Sequence, residues 1–199
     1  MKEEDKKKFI NLILIVVFVI ASFLVGFYSN DSSQESYLFK TILKADYDFS
    51  KVSIDSQMAE QYYVEAGYFY EKGNYNLVES NCRLAREYYS NEVQGYEKIK
   101  AELKAVEIED ELIYLYINVL EEIIDATYNM FEACEYFESA VRYYDTYFNT
   151  NVPYDDMSYD MASGEMDSMG EKITAHDEAV GKYNNLLEEF RVELERRIE

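Results

Sequence analysis

The sequence predicts an all-α protein: a single N-terminal transmembrane helix, then an elongated extracytoplasmic helical bundle with a long antiparallel coiled-coil-like hairpin. Three observations carry that expectation. Phe9 to Tyr28 runs for twenty residues without a charge. Beyond Tyr37, apolar residues recur at steps of three and four almost throughout, the helical period. No stretch alternates apolar and polar residues strongly enough to compete as a strand.

As a helix, residues 9–28 would rise about 30 Å and match the hydrocarbon core of a bilayer. Lys2, Lys6, Lys7 and Lys8 precede this span, and no Lys or Arg follows it until Lys40. The positive-inside asymmetry therefore places residues 1–8 in the cytoplasm and the rest outside. A cleaved secretory signal has a shorter apolar stretch and a small-x-small site, whereas this one is longer and ends in Gly26, Phe27, Tyr28. Ile13 to Gly26 is accordingly expected to stay in the mature protein as a signal-anchor. Residues 29–36 (SNDSSQES) read as a polar tether, and residues 37–199 as an acidic helical domain. A lysine-rich tail, one span and a lone glycosylation sequon at Asn30 suit a prokaryotic cell membrane.

Within the domain, Tyr37, Leu38, Ile42 and Leu43 form a short amphipathic piece. Ser53 and Asp55 offer a cap for a second helix ending near Lys72. Gly73-Asn74 makes the turn, and Tyr75 to Tyr89 the return helix, with Val78, Cys82 and Ala85 on one face. The 55–89 hairpin resembles a single tetratricopeptide (TPR) repeat: Tyr62 at the large aromatic position, Ala66 at the small one, Phe69 at the second aromatic, Gly73 and Tyr75 at the turn, Cys82 and Ala85 in the second helix. Glu65, Val78 and Ser90 depart from that pattern. The resemblance implies two helices packed through those positions; a generic helical hairpin with a glycine turn fits the same residues.

The longest pattern comes next. Leu112, Tyr116, Val119, Ile123, Thr127, Met130, Cys134, Phe137, Val141, Tyr144 and Phe148 form a heptad seam with one stutter at Thr127. After Pro153 a second seam runs from Ala162 through Met166, Met169, Ile173, His176, Val180, Tyr183, Leu187 and Phe190 to Leu194. Helices over 108–148 and 162–198 are expected to pair antiparallel, their seams from Leu112 to Phe148 and from Ala162 to Ile198 each rising about 55 Å. The expected register sets Phe148 near Ala162, Leu112 near the chain's end, Met130 opposite Val180, and His176 within a turn of Cys134. Ile113, Leu120, Ile124 and Phe131 widen the first stripe, so the 55–89 hairpin is expected to cover it.

The charge balance of 19 Lys and Arg against 40 Asp and Glu, −21 overall, excludes a nucleic-acid binder that works by neutralising phosphates. His176, the only histidine, sits on a seam and reads as a packed core residue, since no ligand set surrounds it in sequence. Cys82 and Cys134 both fall on apolar faces; they permit one disulfide, the alternative being two buried thiols. Asp155, Asp156, Asp160, Glu165 and Asp167 gather around the hairpin loop without the ordered spacing of a calcium site. Ala105 to Val141 holds ten acids and no base, and Tyr143 to Glu171 seven acids and no base. Such a surface would attract a basic partner.

No phosphate loop, nucleophile elbow or metal-binding helix motif occurs, so neither an enzyme nor a bound cofactor or metal is expected. The expected function is a membrane-anchored interaction or scaffold module of the cell envelope, contacting a protein partner or itself. The alternative is an extracytoplasmic bundle that senses a small ligand through a separate signalling partner.

Overall fold

The computed structural model describes residues 34–106, 108–149 and 156–197. They form four helices: α1 (Gln34–Glu71), α2 (Tyr75–Lys104), α3 (Glu111–Asn149) and α4 (Asp156–Arg196). No strand occurs among the described residues. None of these helices is long and apolar enough to cross a membrane. The expected span over residues 9–28 lies outside the described residues.

The connections follow from local chemistry. Gly73, at φ +68, closes α1. The Gly73 amide donates to the Tyr70 carbonyl at 2.9 Å and the Asn74 amide to the Phe69 carbonyl at 3.0 Å, the paired bonds of a glycine-ended helix. At the start of α3, the Asp110 carboxylate accepts from the Leu112 amide at 2.9 Å, an N-cap. The same carboxylate takes the Arg197 guanidinium at 2.7 Å, so the end of α4 is fastened to the start of α3.

Two expected breaks are absent. α1 is one helix of 38 residues that begins inside the expected tether and continues through Ser53 and Asp55. The Ser50 and Ser53 hydroxyls donate to the carbonyls of Tyr47 (2.7 Å) and Ser50 (2.8 Å), so they bond the preceding turn instead of capping a new one. α2 likewise runs past Tyr89 to Lys104, because neither Ser90 nor Gly95 stops it. Together α1, turn and α2 extend about twice as far as the 34 residues of one tetratricopeptide repeat. Within the hairpin, Tyr62 stacks on Tyr88 at 5.7 Å, and Ala66, Cys82 and Ala85 are buried.

Successive helices pack along each other: α1 on α2, α2 on α3, α3 on α4, with α1 barely reaching α3. The result is an open up-and-down array in which α1 and α4 are the edges. The α3–α4 hairpin is antiparallel, as expected, but its register differs by about a turn. Tyr147 meets Tyr159 (5.6 Å between rings), Glu132 pairs with Lys172 (2.8 Å), and Tyr116 meets Phe190 (5.2 Å). The reason is that α4 starts at Asp156 instead of Ala162. Acidic residues suit a helix N-terminus, where the backbone dipole is positive, so the Asp156–Asp160 segment is helix and not loop. His176 consequently lies opposite Ala126, two turns or about 12 Å from Cys134.

The buried residues fall into two apolar clusters. The proximal one, at the end holding the start of α1, contains Leu38, Ile42, Ile99, Leu103, Leu112, Leu120, Phe190 and Leu194, and so draws on all four helices. The distal one, toward Gly73, is built on Ala59, Ala66, Val78, Cys82, Ala85, Cys134, Phe137 and Val141, with Met166 and Met169 of α4 only partly buried against it.

Candidate functional site

Between the two clusters lies a polar layer. On α2 the inward residues are Val78, Cys82, Ala85, Tyr89, Glu92, Tyr96, Ile99 and Leu103. Their spacing of four and three puts Glu92 on the seam itself, with only 2% of its surface exposed. The hydroxyls of Tyr96 on its own helix, Ser56 on α1 and Thr127 on α3 act on its carboxyl. Its Oε2 still finds no hydrogen-bond partner. Thr127 is itself held by donating to the Ile123 carbonyl at 2.8 Å. One residue along α3, the Ala126 carbonyl accepts a hydrogen bond from His176 Nδ1 of α4 at 3.0 Å, which fixes the proton on that nitrogen.

Burial pushes the Glu92 carboxyl up to about 7, with Asp55 adding to the rise. The three hydroxyls oppose it by favouring the charged form. Asp46, half-buried on α1 near Tyr116 and Tyr183, is raised by burial to about 6. The phenols of Tyr96, Tyr116 and Tyr183 are all held above the ordinary tyrosine range, chiefly by burial and then by these carboxyls. Burial in the layer thus favours the protonated form of both carboxyls. Sequence reading missed Glu92 because α2 was ended at Tyr89; continuing the seam by three residues would have exposed a carboxylate at a core position.

The other singled-out residues are placed as follows. Cys82 and Cys134 are brought into the distal cluster together, both buried and both free thiols. Burial raises each above the usual thiol range, Cys82 to about 12. Beside them Arg86 pairs with Glu138 at 3.0 Å and lies over the Phe131 ring at 4.9 Å. His176 faces α3, as its seam position suggests, but is only partly buried. Asp155 lies outside the described residues. Asp160 and Asp167 are exposed along α4, with Glu165 half-buried between them. Among the described residues no group of three His, Cys, Asp or Glu side chains gathers as a metal would require.

At the distal end the aromatic side chains form a continuous set. Phe148 stacks on Tyr75 (6.4 Å) and packs edge-on against Tyr147 (5.0 Å), while Tyr159 meets both Tyr147 (5.6 Å) and Tyr144 (6.0 Å). Its outer members are open: Phe148 is 61% exposed and Tyr159 48%. Comparison of the chain with protein-family models, with curated proteins and with solved structures returns no match.

Proposed function

We propose that this chain is a single-pass, membrane-anchored interaction module of the cell envelope, with residues 9–28 as its anchor and the helical array outside the cytoplasm. The observation that carries the reading is the open edge of the array. α1 packs chiefly along α2, and its outward side bears Tyr47, Ile54 and Tyr68, all well exposed and spaced by seven or a multiple of seven. Large apolar residues repeating on one face of an edge helix are what a partner helix requires. The anchor would enter the array through α1, which extends about 57 Å and so carries the opposite end well clear of the bilayer.

A photo-cross-linker placed at Ile54 in the full-length chain, in intact cells, is expected to give one discrete adduct. The same group at Lys98, on a different helix, serves as the control. Recovery of monomer only from both positions would remove the interaction reading.

A second reading, ligand sensing, is favoured by the unpartnered Glu92 Oε2 in the interior. Thermal-shift measurements with small amines and metabolites test it; stabilisation that is lost in Glu92→Gln would support it over the scaffold.

A further inference from the structure

We propose that the distal tip, around Phe148 and Tyr159, docks an arginine-bearing basic segment of a partner protein; this rests on the interaction-module reading above. Two independent features meet there. The first is exposed aromatic surface: Phe148 and Tyr159 share Tyr144 and Tyr147 as ring neighbours, so they present one patch from α3 and α4. The second is charge. Tyr143 to Glu171 contains seven acids and no base, and Asp160, Glu165 and Asp167 make no ion pair among the described residues. The basic residues that flank this segment in sequence are already engaged: Arg142 by Glu79 at 2.7 Å and by Glu138, and Lys172 by Glu132 at 2.8 Å.

The charge selects among occupants. An anionic bilayer surface is repelled by these carboxylates, and a second copy would bring two acidic tips together. A basic segment is attracted. Between the two basic side chains, arginine fits better, because a planar guanidinium stacks on an aromatic face while its N–H groups reach carboxylates, whereas a lysine ammonium is a hydrated point charge.

The test uses the full-length chain in a non-ionic detergent, with fluorescein-labelled decaarginine and decalysine as probes read by anisotropy. Decaarginine is expected to bind several-fold more tightly than decalysine. Phe148→Ser combined with Tyr159→Ser, which leaves the charge unchanged, should weaken decaarginine about tenfold and abolish the preference. Asp160→Asn with Glu165→Gln and Asp167→Asn should weaken both peptides. Removing three exposed acids elsewhere (Asp125→Asn, Asp177→Asn, Glu178→Gln) should change binding less than about twofold.

Equal affinity for the two peptides, or equal damage from the tip and the control substitutions, would mean general charge attraction and would overturn the proposal. A concentration-dependent dimer abolished by the aromatic pair, without peptide preference, would assign the patch to a second copy instead. Should the aromatic pair fail to fold, Phe148→Ser alone, at the most exposed position of the patch, serves in its place. A cross-link at Ile54 that persists in the tip variants would keep the interaction reading while rejecting this site for it.

Discussion

The two ends of the array are made differently. The proximal cluster sets leucines and isoleucines around the buried rings of Tyr96, Tyr116 and Phe190, is drawn from four helices, and is closed by the Asp110–Arg197 ion pair. The distal cluster rests on alanines, two cysteines and aromatic rings from three helices, with α4 contributing half-buried methionines. Leucine, isoleucine and three buried rings fill the proximal interior. Alanine lets helices approach closely but buries little area, so at the distal end the aromatic rings must supply the apolar contact, and several remain at the surface. The proximal end thus closes its core with all four helices, whereas the distal end leaves part of its aromatic set at the surface.

The comparison can be broken most directly by truncation. Leu120→Ala, at a fully buried proximal position, is expected to lower unfolding stability by about 3 kcal/mol in chemical denaturation. Met169→Ala, half-buried at the open end, should cost about 1 kcal/mol. Similar losses at both sites would remove the distinction.

The boundary between the ends responds to pH. Glu92 titrates at about 7 when folded against an ordinary value of 4.5, so the folded state holds a proton that the unfolded chain has released. Stability should then fall as pH rises from 4.5 to 7, by about 3 kcal/mol for the full shift. Asp46, raised from 3.8 to about 6, acts in the same direction over its own range. Glu92→Gln should flatten the upper part of that slope. A melting temperature as pH-dependent in this variant as in the parent chain would exclude Glu92 as the cause.

A smaller effect sharpens the α1–α2 contact beside the layer. A Cβ at Gly95 would lie 2.5 Å from Val52 Cγ2, so Gly95→Ala should cost about 2 kcal/mol despite the better helix propensity of alanine. Adding Val52→Ala should recover part of it. A stabilised single variant would show that the helices can separate there without loss.

The helical class, the glycine turn and the antiparallel α3–α4 pairing were legible because each rests on local chemistry: a three-and-four period, a positive-φ glycine, a short connection. The continuity of α1 through Ser53 and the early start of α4 were not. Serine and aspartate serve equally as caps and as tolerated interior residues, and only tertiary packing decides between the roles. The register error followed directly, since moving the start of α4 shifts every residue opposite α3. Ala126, Ala133 and Ala140, all fully buried on α3, also passed unnoticed. A pattern search weights large side chains, whereas close helix contacts are marked by small ones. The tip was legible as an acidic segment but not as an aromatic patch, because Tyr75, Phe148 and Tyr159 meet only once three helices are assembled.

An even number of antiparallel helices has a mechanical consequence. The beginning of α1 and the end of α4 lie at the same end of the array, so a tensile load applied through the chain's two ends would not stretch the long helix interfaces in shear. It would peel the outer helices away turn by turn. The Asp110–Arg197 clasp would resist on one side and the Leu38–Ile42 contacts on the other. Under such a load the protein yields as a zipper that opens at its proximal end, while the Gly73 hairpin at the far end is the last part to feel the force.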